Sequence, residues 1–238
     1  MIMKKSYEMD MCNGPVLSKI LIYSIPLMLS GILQLLFNAA DVIVVGRYAG
    51  SQSLAAVGST SSLINLLINV FMGLSVGVNV LVAQYYGGKR DNDVSETVHT
   101  AIMLSLISGV FLIVLGYFVS RPLLELMGTP DDVIDKSTIY VRIYFAAMPA
   151  TMLYNFGSAI LRAVGDTKRP LYFLCVAGVV NVILNLIWVI AFDMDGAGVA
   201  LATAISQVIS AALVFICLQN SEGSLKLHLC KLKMNRKK

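Results

Sequence analysis

The stretch Leu36–Gly50, LFNAADVIVVGRYAG, decides the fold. It is an apolar run with an acid inside it. Asp41 follows two alanines and precedes Val42, Ile43, Val44 and Val45. The run belongs to a longer one, roughly Leu17–Val45, which exceeds the 20 or so residues that a helix needs to cross a bilayer. It shows no strict alternation of polar and apolar residues, so a barrel strand is excluded. An ionised carboxylate within hydrocarbon costs roughly 2.5–3.5 kcal/mol even on insertion scales, so an intramembrane acid asks for a function.

The whole chain fits that setting. Of its 238 residues 57% are hydrophobic and 13% charged, where soluble domains average about 25% charged. The mean hydropathy is +0.78. Further apolar runs follow at Leu54–Val82, Val94–Val119, Ser137–Leu161, Leu171–Phe192 and Ala197–Leu218, which predicts an all-α membrane protein of six spans. Pro26 and Gly31 mark a bend in the first span, and Pro149 interrupts the fourth. The links YYGGKRDND, LMGTPDDV, RAVGDTKRP and DMDG carry the Gly, Pro, Asp and Asn of reversing chain. The first apolar run has no small-residue cleavage site after it and reads as a retained span.

Lys and Arg set the orientation. With the N-terminus inside, Lys4, Lys5, Lys19, Lys89, Arg90, Arg162, Lys168, Arg169 and six residues between Lys226 and Lys238 lie inside, fourteen in all. Arg47, Arg121, Lys136 and Arg142 lie outside, completing the eighteen. The positive-inside rule then predicts a multi-pass protein of the cytoplasmic membrane with both termini in the cytoplasm. Residues 1–16 read as a cytoplasmic segment, 17–219 as the membrane lobe, and 220–238 as a basic tail or linker. That basic tail follows the same rule and gives no reason to invoke nucleic acid.

Asp41 is the one acid well inside a span. Gln34 and Asn38 precede it by seven and three residues and share its helical face. Snorkelling toward Arg47 is the plain alternative, but a short carboxylate reaches poorly. In VVNVILNLIW, Asn181 and Asn185 stand four apart on one face. They read either as interhelical glue or as oxygen donors beside Asp41. Such a group suits Na⁺, and a carboxyl group in low dielectric suits a proton; the residue types leave both open. Asn155, Tyr154 and Tyr140 are further polar points of the fourth span, and Asn155 and Tyr140 join Gln34 and Asn38 as candidates for lining a substrate cavity. Thr203, Ser206 and Gln207 sit among small residues of the sixth span. Arg162, Asp166, Lys168 and Arg169 read as loop anchors, with Gly165 supplying the turn.

Enzymatic classes find no support. No phosphate-binding Gly-x-x-x-x-Gly-Lys-Ser/Thr loop is present. His99 and His228 have no metal-ligand spacing, and the four cysteines show no paired spacing. No catalytic residues and no cofactor are expected, and no metal beyond a Na⁺ ion at Asp41.

Five stretches in order carry a resemblance: SIPLMLSGILQLLFNAADVIVVGRYAGSQSLAAVGSTS, VLVAQYYGGKRD, ILRAVGDTKRP, NVILNLIW and GAGVALATAISQ. Together they span about Pro15–Leu218. They resemble the N-terminal lobe of the multidrug and toxic compound extrusion (MATE) family of cation-coupled antiporters. The resemblance implies twelve spans in two six-helix lobes, with a cavity that opens alternately to either side. It implies that Asp41, Asn181 and Thr203 bind H⁺ or Na⁺ and couple its release to efflux of small organic, cationic compounds. Asn185 stands where some members carry a second aspartate, a departure from a two-carboxylate relay. The chain matches one lobe only, so the expectation is a truncated or split transporter that is inactive without a C-terminal lobe or self-association. A lipid-linked oligosaccharide flippase of the same superfamily, a six-span substrate-binding module and an inert remnant are the competing readings. The near absence of Lys and Arg within the spans speaks against the flippase.

Overall fold

A computed structural model describes residues 16–192, 194–221 and 223–227. The expected N-terminal segment and most of the basic tail therefore lie outside the described residues. α1 (Val16–Val44) runs into a π-helical turn, Val45–Ala49. α2 (Gly50–Gly87) and α3 (Asp91–Leu126) follow, then the shorter α4 (Asp131–Ala146) and α5 (Met148–Ala163). α6 (Lys168–Leu186) ends in a second π-helical turn, Ile187–Ala191, before α7 (Asp195–Gln219). No strand occurs among the described residues.

Among the described residues, five helices are long and apolar enough to cross a membrane. The fourth crossing is made differently from the others. The sequence predicts one helix over Ser137–Leu161, whereas α4 and α5 share that crossing and break at Ala147. Pro149 is the cause. It occupies the first turn of α5, where a missing N–H leaves no hydrogen bond unmade, and it could not continue α4. The two half-length helices form the central column of the bundle. Phe145, Met148, Met152, Phe156 and Ile160 are fully buried, and α5 packs on α2, α3 and α7.

α1 is the peripheral member. It packs mainly on α6 and leaves Leu17, Leu35 and Ile43 exposed. Lipid is as apolar as leucine, so such a face is tolerated in a bilayer. A polar bond lashes α1 to the central column: the Tyr23 hydroxyl donates to the Arg162 carbonyl at 3.1 Å. Asn79 of α2 donates likewise to the Ala159 carbonyl at 2.7 Å.

The turn after α5 is built by Gly165 at φ 86°, a conformation glycine adopts without penalty. Asp166 N–H bonds to the Leu161 carbonyl and Gly165 N–H to that of Arg162, the two crossed bonds of a Schellman closure. Asp166 is buried and its carboxylate pairs with Arg169 at 3.1 Å, so these loop charges do anchor the turn. Cross-links also identify the two ends of the bundle. Tyr23 meets Arg162, Arg169 meets Cys217, and Leu227 meets Leu218 at a proximal end. Lys136 meets Asp195 at 2.9 Å at the distal end. Both ends of the described chain lie at the proximal end, as an even number of crossings requires.

Candidate functional site: a carboxylate at the head of a polar cavity

The site is set by one close approach. Gly178 of α6 lies against the ring of Phe37 of α1, where any Cβ would collide with the ring. That contact brings two helices running in the same direction together one turn before Asp41 and Asn181. A turn or so later, the Asn185 amide nitrogen donates to Asp41 Oδ1. Each helix then enters its π-helical turn, after Asp41 on one side and Asn185 on the other. π-helical turns recur at functional sites because an extra residue breaks the regular bonding ladder.

α7 supplies the third side. The Thr203 hydroxyl lies against the Asp41 carboxylate. The Asn181 carboxamide fits between these groups in either of two orientations. In one, its nitrogen donates to Thr203 Oγ1 at 3.2 Å and its oxygen accepts from Asn185 Nδ2 at 3.2 Å, but that oxygen also faces Asp41 Oδ1 at 2.9 Å, two acceptors that need a proton between them. In the other, its nitrogen donates to Asp41 Oδ1 at 2.9 Å and its oxygen accepts from the Thr203 hydroxyl. Asn185 Oδ1 is buried and has no hydrogen-bond partner within the protein. A buried carbonyl oxygen left without a donor is costly, so the site has acceptor capacity to spare. Carboxylate, carboxamide and hydroxyl oxygens are hard donors, the kind that suit a small hard cation. Among the described residues no group of three His, Cys, Asp or Glu is placed to hold a metal.

Asp41 stands at the wall of a cavity of about 280 Å³ between α1, α2, α4, α5, α6 and α7. Gly31, Gln34, Asn38, Asn155, Asn181 and Thr203 line it as well. Asn185 touches Asp41 from behind and is fully buried. Tyr140 lies behind the wall, buried and stacked on Tyr144, and it is Tyr144 that reaches the cavity. Pro26 lies one turn and a half before Gly31, inside α1, and its carbonyl accepts from the Ser30 hydroxyl at 2.8 Å. Asp41 forms no ion pair with Arg47 among the described residues. The sequence reading missed Asn65 and Asn69 of α2, which also line the cavity. Their four-residue spacing is the same signal that singled out Asn181 and Asn185. Ser206 and Gln207, read first as a packing face, line it too. The lining holds one acid and no Lys, Arg or His.

Comparison with known proteins gives this arrangement a family. The chain is 34% identical over 209 residues to the probable multidrug resistance protein YoeA of Bacillus subtilis (strain 168), covering 86% of the chain and 45% of the relative. It is 24% identical over 206 residues to an FAD transporter of Shewanella oneidensis, covering 84% of the chain and 45% of the relative. A crystal structure of MATE in the bent conformation superposes with a TM-score of 0.85 at 26% identity, over 92% of this chain and 49% of that one. The chain thus spans about half the length of the relatives it matches. The MatE family model matches residues 26–187, which include the α1 and α6 sides of the site, and the chain belongs to this family of transporters, not enzymes.

Proposed function

We propose that the chain is the N-terminal lobe of a cation-coupled efflux transporter, with Asp41 binding the coupling ion, H⁺ or Na⁺. One observation carries this reading: Asp41 is the sole charged group of a cavity with no basic side chain in its lining. A buried charge without a partner is expensive, so a proton or a cation must accompany Asp41 whenever the cavity closes to water. Asn181 is suited to follow the change. With Asp41 ionised, the amide nitrogen faces the carboxylate at 2.9 Å. With Asp41 neutral, the carboxyl proton can bond to the amide oxygen in the same place, and the nitrogen turns to Thr203. Two discrete arrangements of one network are what coupling needs, because an ion can bias only states that it binds differently. The spare oxygen of Asn185 and the Thr203 hydroxyl give Na⁺ the same foothold.

Pro26 and Gly31 lie in α1 between its proximal lashing at Tyr23 and Asp41. They allow the helix to bend between two fixed points. The substrates are small organic compounds of the drug-like kind named for several relatives, taken up from the inner side. In this reading the basic proximal end is cytoplasmic, the lobe is residues 17–219 and residues 220–238 lead toward a second lobe.

The test is dye efflux in cells carrying the chain joined to a C-terminal lobe. Active efflux that collapses in Asp41→Asn, with insertion unchanged, supports the proposal. Undiminished efflux in that variant would end it.

A further inference from the structure

Six carboxamides surround the cavity without being used by the protein. Gln34 and Asn38 come from α1, Asn65 and Asn69 from α2, Asn155 from α5 and Gln207 from α7. Among the described residues none of them makes a side-chain hydrogen bond, whereas Asn181 and Asn185 are engaged with Asp41 and its neighbours. Structural asparagines in membrane bundles stabilise by bonding across helices. These six do not, and they converge on one space of about 280 Å³.

A carboxamide offers a donor and an acceptor side by side in one plane. That is the geometry that reads the edge of a planar ring carrying its own donor and acceptor, as Asn and Gln read adenine. Gln34 with Asn38, and Asn65 with Asn69, stand one helical turn apart, so each pair presents two such groups on one face. The aromatic rings of Phe37 and Tyr144 also line the cavity and supply flat apolar surface for a ring. An anion is disfavoured by Asp41 and by the absence of any basic side chain in the lining. A lipophilic cation could meet Asp41, but it would strip water from six amides and return nothing, which is the costly case.

We infer that the cavity is specific for uncharged planar heterocycles with hydrogen-bonding edges, with the six carboxamides as its specificity-determining groups. This rests on the cavity being the substrate cavity proposed above. It does not need the ion coupling, and equilibrium binding separates the two.

The chain in lipid nanodiscs is dialysed without any ion gradient against two tricyclic probes of similar size. Lumichrome is neutral and has an imide edge; N-methylacridinium is a cation without a hydrogen-bonding group. Lumichrome binds at least tenfold more tightly, and Asn65→Leu, Asn69→Leu and Asn155→Leu each weaken it by about fivefold, the value of one hydrogen bond. Asn65→Gln keeps the amide and restores most of the loss, which a folding defect at that position would not allow. Equal or tighter binding of N-methylacridinium overturns the inference, as does lumichrome binding that is absent, or indifferent to the leucine substitutions. Lumichrome binding together with failed efflux would sink the coupling reading alone.

Discussion

At the scale of single residues, the logic of the site is charge without a counter-charge. Asp41 has neutral groups only around its carboxylate: the Asn185 amide donates to it, the Asn181 amide does so in one of its orientations, and the Thr203 hydroxyl lies beside it. Asp41→Asn keeps the shape and removes the carboxylate proposed to take the proton or cation. In a complete transporter it abolishes coupled efflux, by tenfold or more, while membrane insertion stays at the wild-type level on immunoblots of the membrane fraction. Thr203→Val removes one hydroxyl and leaves the carboxylate; efflux falls about three- to tenfold, in line with one lost hydrogen bond. If the valine variant is as dead as Asp41→Asn, the hydroxyl is more than an auxiliary donor. These residues were legible because a polar side chain in an apolar span is conspicuous. Asn65 and Asn69 were equally conspicuous. What one sequence could not reveal is which amides bond to each other and which face open space. Tyr140 illustrates the same limit: four residues separate it from Tyr144, and only packing decides which of the two reaches the cavity.

At the scale of elements, α1 is the most exposed of the long helices and packs mainly on α6. Its contact with α6 depends on Gly178 having no side chain where Phe37 lies. Gly178→Leu forces these helices apart. Overpacking of this kind costs about 1–3 kcal/mol, and it separates Asp41 from Asn185 as well. The purified variant melts several degrees lower in detergent, and coupled efflux is lost with it; an unchanged melting temperature would show that α1 and α6 do not need this approach. Tyr23→Phe removes only the bond to the Arg162 carbonyl, worth about 1 kcal/mol. Its effect belongs to the proximal end of α1. A cysteine at Leu17 in that variant is labelled faster by a water-soluble maleimide than the same cysteine with Tyr23 present. The spans themselves were plain in the hydropathy, but the fourth was expected as one helix with Pro149 inside it, and the break into α4 and α5 was not foreseen. The π-helical turns were not announced, since they have no residue signature and arise from where the flanking helices must pack.

At the scale of the whole molecule, the bundle is a complete core with an incomplete enclosure. α4 and α5 form the buried centre, yet α1 remains largely exposed and the cavity draws its wall from α1 and α2 on that flank. The chain spans 45% of YoeA. Alternating access in such folds is the rocking of one bundle against another around a fixed site. A lone bundle has nothing to rock against. The chain expressed by itself in an efflux-deficient host therefore inserts but gives no dye efflux above the empty vector. The same chain joined in frame to the C-terminal half of YoeA regains efflux, and loses it again on Asp41→Asn. The unjoined chain also tests its own orientation: the positive-inside rule predicts that a reporter fused after Lys238 is active only if it is a cytoplasmic one, since fourteen of the eighteen basic residues fall on the side that the rule assigns to the cytoplasm. Efflux by the unjoined chain would mean that two copies can rock against each other. In that case cross-linking should trap a dimer through α1, and a bulky charged residue at Leu35, which faces outward on α1, should abolish both the cross-link and the transport.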